Sequence, residues 1–309
     1  MKATQRRERF RAVLEGDEFV YPAPVYDPIS ARIADMLGFE VGFMPPAPPA
    51  AIELCAPSDM MLLTATELAQ QVRRISRVSD IAMSVIAENG YGNALNVMRT
   101  VEDLENAGVA AITIYDLELP FAFGTMPRDA GRHTRGEMRT WGTRTWGSKM
   151  ISIDEAVGKL KAALAAREDP SLVIIGRTMA LQADTDAIPE TIRRVKAYEA
   201  AGVDGIHLSG LTTLEELQAV HAETSLPITT GRAMPDDIAP AVLAANGLRI
   251  ASAGHLALWA SVRAMHETLK ALREGKTQSE LRPSVASPEL MAEVTRQREY
   301  SQFIQDYLN

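Results

Sequence analysis

The chain has 309 residues, 46% hydrophobic and 23% charged, so it can bury a large core and is neither a disordered nor a fibrous protein. Forty acidic against 32 basic side chains leave a formal charge of −8, which disfavours nucleic acid and anionic membrane surfaces as partners. No apolar run approaches a membrane span, the first residues lack a secretory signal's apolar stretch, and the lone Cys55 excludes an internal disulfide, a thiolate zinc cluster and a redox pair.

These features predict a cytoplasmic protein with no membrane segment, whose chemistry uses oxygen, imidazole or guanidinium groups. Cys55 itself is expected to be a buried, inert thiol.

Short apolar runs recur along the chain at 20–25 (VYPAPV), 41–44 (VGFM), 82–86 (AMSVI), 110–114 (AAITI), 172–176 (LVIIG), 205–208 (GIHL), 227–230 (PITT) and 248–252 (LRIAS). They are rich in Val and Ile and mostly do not alternate with polar residues, as strands buried on both faces should read. Helical patterns lie between them. Thr64 to Glu67, Ser152 to Glu155 and Thr212 to Glu215 each pair a hydroxyl with a following acid as a helix start. Ala107-Gly108 and Ala201-Gly202 end helices just before a strand, where glycine permits the left-handed cap.

Eight strands alternating with helices predict an α/β fold, a single (β/α)8 TIM barrel over 1–309, which exceeds the roughly 250 residues the architecture needs. Two additions are expected. Residues 121–150, with Trp141, Trp146 and a run of arginines, form a long loop after the fourth strand, either a lid or an interface. Residues 283–309 form a C-terminal helical extension whose aromatic residues share one face.

In such a barrel the chemistry sits at the C-terminal ends of the strands. The polar residues there are Tyr26, Asp27, Glu88, Asn89, Tyr115, Asp116, Glu118, Arg177, Thr178, His207, Ser209, Arg232, Ser252 and His255, with Pro45 and Pro46 after the second strand. Arg177 offers a bidentate clamp for a carboxylate, or pairs with a carboxylate of the barrel such as Glu88. His207 and His255 suit general acid or base work, or a structural hydrogen bond. The glycines of Asn89-Gly90-Tyr91-Gly92 have the wrong spacing for a phosphate loop and read as a tight turn.

Tyr26-Asp27-Pro28-Ile29-Ser30-Ala31-Arg32, Glu88-Asn89-Gly90-Tyr91-Gly92-Asn93-Ala94-Leu95-Asn96-Val97 and Gly176-Arg177-Thr178 resemble motifs of the phosphoenolpyruvate mutase and isocitrate lyase superfamily. The resemblance runs from about Phe10 to about residue 265 and is greatest to the oxaloacetate decarboxylase and methylisocitrate lyase-like branch. It implies a barrel with a swapped last helix, a homotetramer, Mg²⁺, no organic cofactor, and a small 2-oxo or hydroxy carboxylic acid as substrate. A carbon–carbon bond is then cleaved or a carboxylate lost through an enolate.

The catalytic candidates are then Arg177, Tyr115, Glu88 and Asp116, and the substrate-binding candidates Tyr26, Asp27, Pro45, Pro46, Asn93, Thr178, His207 and Arg232; of these, Tyr26, Asp27, Glu88, Asn93, Asp116, Arg177 and Thr178 match the superfamily pattern. Asp59 and Glu88 fall where the superfamily contacts metal.

The sequence departs from that pattern at three places. The direct metal ligand is replaced by Ile86, the first acid after the fourth strand by Tyr115, and a Gly/Ser-rich turn by Pro45-Pro46-Ala47-Pro48-Pro49, where proline offers no N–H. The lyase branch's cysteine loop is replaced by Phe121-Ala122-Phe123-Gly124. Three readings follow: a lyase or decarboxylase of the superfamily type, an enzyme with metal-independent chemistry on a less anionic substrate, or a binding protein that kept the scaffold. Retention of Arg177, Asp59 and Glu88 favours an enzyme.

Overall fold

In a computed structural model, which describes residues 2–56, 61–120, 149–182, 186–231, 234–252 and 254–309, all eight apolar runs pair into one parallel sheet. The strands are β1 (Ala23–Pro24), β2 (Val41–Met44), β3 (Ala82–Ile86), β4 (Ala111–Tyr115), β5 (Val173–Thr178), β6 (Gly205–Leu208), β7 (Ile228–Thr230) and β8 (Leu248–Ala251), hydrogen-bonded in sequence order. Val20 bridges Ile250 of β8 in parallel, its N–H donating to the Arg249 carbonyl at 2.8 Å. The curled sheet is consistent with a (β/α)8 barrel.

The first strand is shorter than its apolar run. Pro22 and Pro24 have no N–H for the ladder, so pairing is confined to a two-residue strand and the bridge at Val20.

The described residues form two compact units, 1–254 and 255–309. In the first, helices follow the strands: α1 (Ala3–Glu15), α2 (Pro28–Met36), α3 (Ala47–Leu54), α4 (Ala65–Ser76), α5 (Ala94–Ala107), α6 (Ile153–Ala166), α7 (Ala187–Ala201), α8 (Leu214–His221) and α9 (Pro240–Ala245).

The anticipated caps recur. Thr64 accepts from the Glu67 N–H while Glu67 reaches back to the Thr64 N–H, and Gly108 and Gly202 take φ of 97° and 94°. Before α8 the cap is displaced by one residue. Thr213 accepts from Glu216 N–H, and the Glu216 carboxylate takes the N–H groups of both Thr212 and Thr213, which Glu215 does not reach. Cys55 is exposed rather than buried, because it ends α3 in a left-handed cap (φ 49°) that turns the chain outward.

Two apolar layers hold the unit together. Alternate strand residues Val41, Ala82, Ala111, Val173, Ile175 and Ile250 cluster on the inner face with Phe10 and Leu14 of α1. That places α1 at the N-terminal end of the strands and leaves the C-terminal ends for the site. The outer residues, such as Met83, Val85, Ile112 and Ile174, pack with Leu68, Val72, Val101, Leu104 and Leu160 of the helices.

The second unit is helical: α10 (Leu256–Arg273), α11 (Gln278–Leu281), α12 (Pro288–Val294) and α13 (Gln297–Tyr307). On α10 the exposed Leu256, Trp259, Val262, Met265, Leu269 and Leu272 recur every three or four residues and so form one stripe. Tyr300, Phe303, Ile304 and Tyr307 do the same on α13. No helix among the described residues is long and apolar enough to cross a membrane.

Candidate active site at the strand ends

Strand alternation fixes which side chains line the mouth of the sheet. Ala82 belongs to the inner cluster, so Ser84 and Ile86 share its face of β3; by the same parity Phe43, Tyr115, Arg177 and His207 are the inner residues nearest the C-terminal ends of β2, β4, β5 and β6. Register reinforces this, since Tyr115 pairs with Arg177 and Arg177 with His207 across adjacent strands.

Arg177 is the centre of this group. Its guanidinium carbon lies 3.9 Å from the centroid of the Tyr115 ring, and its Nε donates to Ser209 Oγ at 2.5 Å. Among the described residues neither Nη makes a hydrogen bond or an ion pair. A guanidinium held at its Nε and its face presents the remaining two N–H edges as a planar fork, the geometry that takes one carboxylate bidentately.

His207 stacks on Phe43 with ring centroids 6.4 Å apart and holds Thr229 Oγ1 at 3.0 Å through Nδ1. Its Nε2 is buried without a partner among the described residues, beside Gly231, where an added Cβ would lie 3.3 Å away. Burial, and secondarily the charge of Arg177, hold the imidazole well below its ordinary value, so it is neutral at physiological pH.

Asp116 occupies a different environment. Its Oδ1 accepts from Met179 N–H at 3.1 Å; its Oδ2 accepts from Arg194 Nη1 at 3.1 Å and Tyr198 OH at 2.9 Å. The Thr178 hydroxyl accepts from Ala180 N–H at 3.2 Å. Burial raises the Asp116 pKa against the opposing pull of Arg194. The Asp116 N–H also donates to the Arg177 carbonyl at 3.2 Å, so this cluster ties the end of β5 to β4 and α7. Asp116 and Thr178 therefore support the backbone that carries Arg177, and their polar atoms are occupied in doing so.

The turn after β3 is equally constrained. Glu88, Gly90, Tyr91 and Gly92 all have positive φ, and an added Cβ on Gly90 would lie 2.2 Å from Val97 Cγ2. Asn89 links the turn to its surroundings, accepting from Tyr91 N–H and donating to the Leu119 carbonyl, while its own carbonyl takes Lys159 Nζ. This is the tight turn expected from the glycines. Glu88 is buried, and its left-handed φ of 48° is strained for a non-glycine residue at the strand mouth.

Other candidate residues have structural occupations. Asn93 caps α5, accepting from Leu95 and Asn96 N–H. Asp27 caps α2 through Ser30 N–H at 2.7 Å, and the Tyr26 carbonyl accepts from Gln71. Pro46 precedes α3, whose next residues include Pro48 and Pro49, so Ala47 alone supplies an N–H over 45–49. His255 opens the second unit, edge-on to Trp259. Asp59, Arg232, Trp141, Trp146 and most of 121–150 lie outside the described residues.

Phe43 and Ser209 complete the group around Arg177. Phe43 lies inside an apolar run, where only strand parity could single it out.

Among the described residues the donor set around the mouth does not fit Mg²⁺, which asks for near-octahedral oxygen ligation. Ile86 is 1% exposed and offers no lone pair, the Asp116 oxygens are occupied, and among the described residues no three of His, Cys, Asp or Glu converge.

Comparison with known proteins gives a consistent picture. The family described as phosphoenolpyruvate phosphomutase matches residues 10–273. An oxaloacetate decarboxylase of Bradyrhizobium diazoefficiens is 45% identical over 299 residues, covering 97% of this chain and 96% of its own. A phosphonopyruvate hydrolase solved with oxalate and Mg²⁺ superposes with TM-score 0.80 at 25% identity over the whole of both chains. A 2,3-dimethylmalate lyase of the PEP mutase/isocitrate lyase superfamily superposes with TM-score 0.77 at 26% identity, covering 99% of each.

Proposed function

Because this chain belongs to the phosphoenolpyruvate phosphomutase family, we propose that it is a carbon–carbon lyase acting on a small 2-oxo carboxylic acid, with decarboxylation of oxaloacetate the reaction to test first. The observation that carries the reading is Arg177, an inner residue at the end of β5 whose two Nη groups have no hydrogen-bond or ion-pair partner among the described residues while Tyr115 and Ser209 hold its plane.

In this reading Arg177 takes the carboxylate next to the carbonyl. The bond from C3 to the departing carboxylate breaks, carbon dioxide leaves, and the electron pair delocalises from C3 onto the carbonyl oxygen as an enolate. A proton added at C3 then gives pyruvate. The positive guanidinium stabilises the charge as it moves toward the oxygen it faces. Phe43 and Ile86 supply a wall of low polarity for the carboxylate that loses its charge. No organic cofactor is required by this chemistry.

The sheet closes as a (β/α)8 barrel in this account, supported by the bridge between Val20 and Ile250. The protein assembles as a homotetramer with an exchanged last helix, supported by the exposed apolar stripes of α10 and α13. The functional test is pyruvate formation from oxaloacetate above the spontaneous rate, lost in Arg177→Met. No acceleration with oxaloacetate, methylisocitrate or phosphonopyruvate would overturn the lyase reading.

A further inference from the structure

We infer that Arg177 and an apolar wall containing Ile86 stand where a divalent cation would otherwise hold the substrate, so that the pocket takes an oxo-carboxylate directly on the guanidinium without a metal ion. The inference rests on the lyase reading only for the class of ligand.

Three observations carry it. Ile86 shares the inner face of β3 with Ala82 and Ser84 and is 1% exposed, so its alkyl branches fill the mouth where a ligand oxygen would have to stand. Asp116, the acid at the end of β4, already accepts from Met179 on one oxygen and from Arg194 and Tyr198 on the other, so an ion there would compete with a buried arginine for the same carboxylate. Of the other described acids at the strand ends Asp27 caps α2 and Glu118 is exposed, which leaves Glu88 as the buried carboxylate among the described residues there, and a dication beside it would face Arg177 with a single negative charge to offset both. Arg177 without a dication presents one positive charge and two Nη groups that have no partner among the described residues, and these satisfy one carboxylate.

Oxalate, a chelating 2-oxo acid mimic, is the probe. Its affinity for the purified full-length protein is measured by calorimetry in EDTA and in excess Mg²⁺, alongside a Mn²⁺ titration followed by electron paramagnetic resonance. The inference expects oxalate to bind in EDTA, its affinity to change less than about twofold with Mg²⁺, and to fall more than about tenfold in Arg177→Met. It also expects no stoichiometric Mn²⁺ binding in the wild type, and acquisition of Mn²⁺ binding in Ile86→Asp.

Strengthening of oxalate binding by Mg²⁺ of more than about tenfold, stoichiometric Mn²⁺ in the wild type, or failure of oxalate to bind under either condition would overturn it. The wild-type measurements decide the matter even if Ile86→Asp does not fold. Binding and turnover separate the two claims: metal-free binding without turnover sinks the lyase reading alone, and Mg²⁺-dependent turnover sinks this inference alone.

Discussion

The guanidinium of Arg177 sits 3.9 Å from the centre of the Tyr115 ring, on the neighbouring strand and in direct register. The aromatic face and Ser209 Oγ fix the arginine from two directions and leave its Nη edge without a partner among the described residues. Arginine on an aromatic face gains about 0.5 to 2 kcal/mol, depending on how far water is excluded. Tyr115→Leu should therefore raise KM several-fold with a smaller effect on kcat, while Tyr115→Phe should keep both near wild type. Equal losses in the two variants would show that the hydroxyl, not the ring face, matters.

Arg177→Lys keeps the charge but replaces a planar fork by a point donor. Loss of bidentate contact should remove about 1.5 to 3 kcal/mol of transition-state binding, or about one to two orders of magnitude in kcat/KM, and Arg177→Met more. Steady-state kinetics with oxaloacetate read both. A lysine variant as active as wild type would mean that charge alone suffices.

The Asp116–Arg194 pair is a positioning element. Breaking a buried pair from one side costs about 3 to 5 kcal/mol, so Arg194→Met should lower the melting temperature by on the order of 10 °C. Asp116→Asn keeps one acceptor and should cost less. If Asp116 acts by holding the end of β5, its asparagine variant should raise KM more than it lowers kcat and leave the pH profile of kcat in place. A shifted kcat profile would instead make Asp116 a proton carrier.

His207 gives a pH dependence of defined sign. Its folded-state pKa lies below its unfolded value, so the stability it contributes is present above about 6.5 and is lost as pH falls below that. Between about pH 6.5 and the folded value the wild type should lose up to about 1.4 kcal/mol per pH unit from this residue. Thermal or urea unfolding should show that slope reduced in His207→Gln. Parallel slopes in the two proteins would refute the assignment.

Much of the fold was legible because fully buried strands leave an unmistakable apolar signature, and because hydroxyl–acid pairs and Ala-Gly endings mark the helices between them. Arg177 and His207 were legible for a related reason, each being the polar residue that interrupts or follows such a run. Asp116 and Asn93 show the limit. Sequence position sets them at the strand ends, but only coordinates reveal that their oxygens already serve Met179, Arg194 and Tyr198 in one case and the start of α5 in the other. Phe43 was obscured because its importance lies in touching His207, which is a relation between strands far apart in sequence.

The most direct test of the whole account is a crystal structure of the protein with pyruvate bound. It should show the pyruvate carboxylate within hydrogen-bonding distance of both Arg177 Nη groups, at the C-terminal ends of β4, β5 and β6. Pyruvate bound elsewhere, or its carboxylate turned away from Arg177, would contradict it.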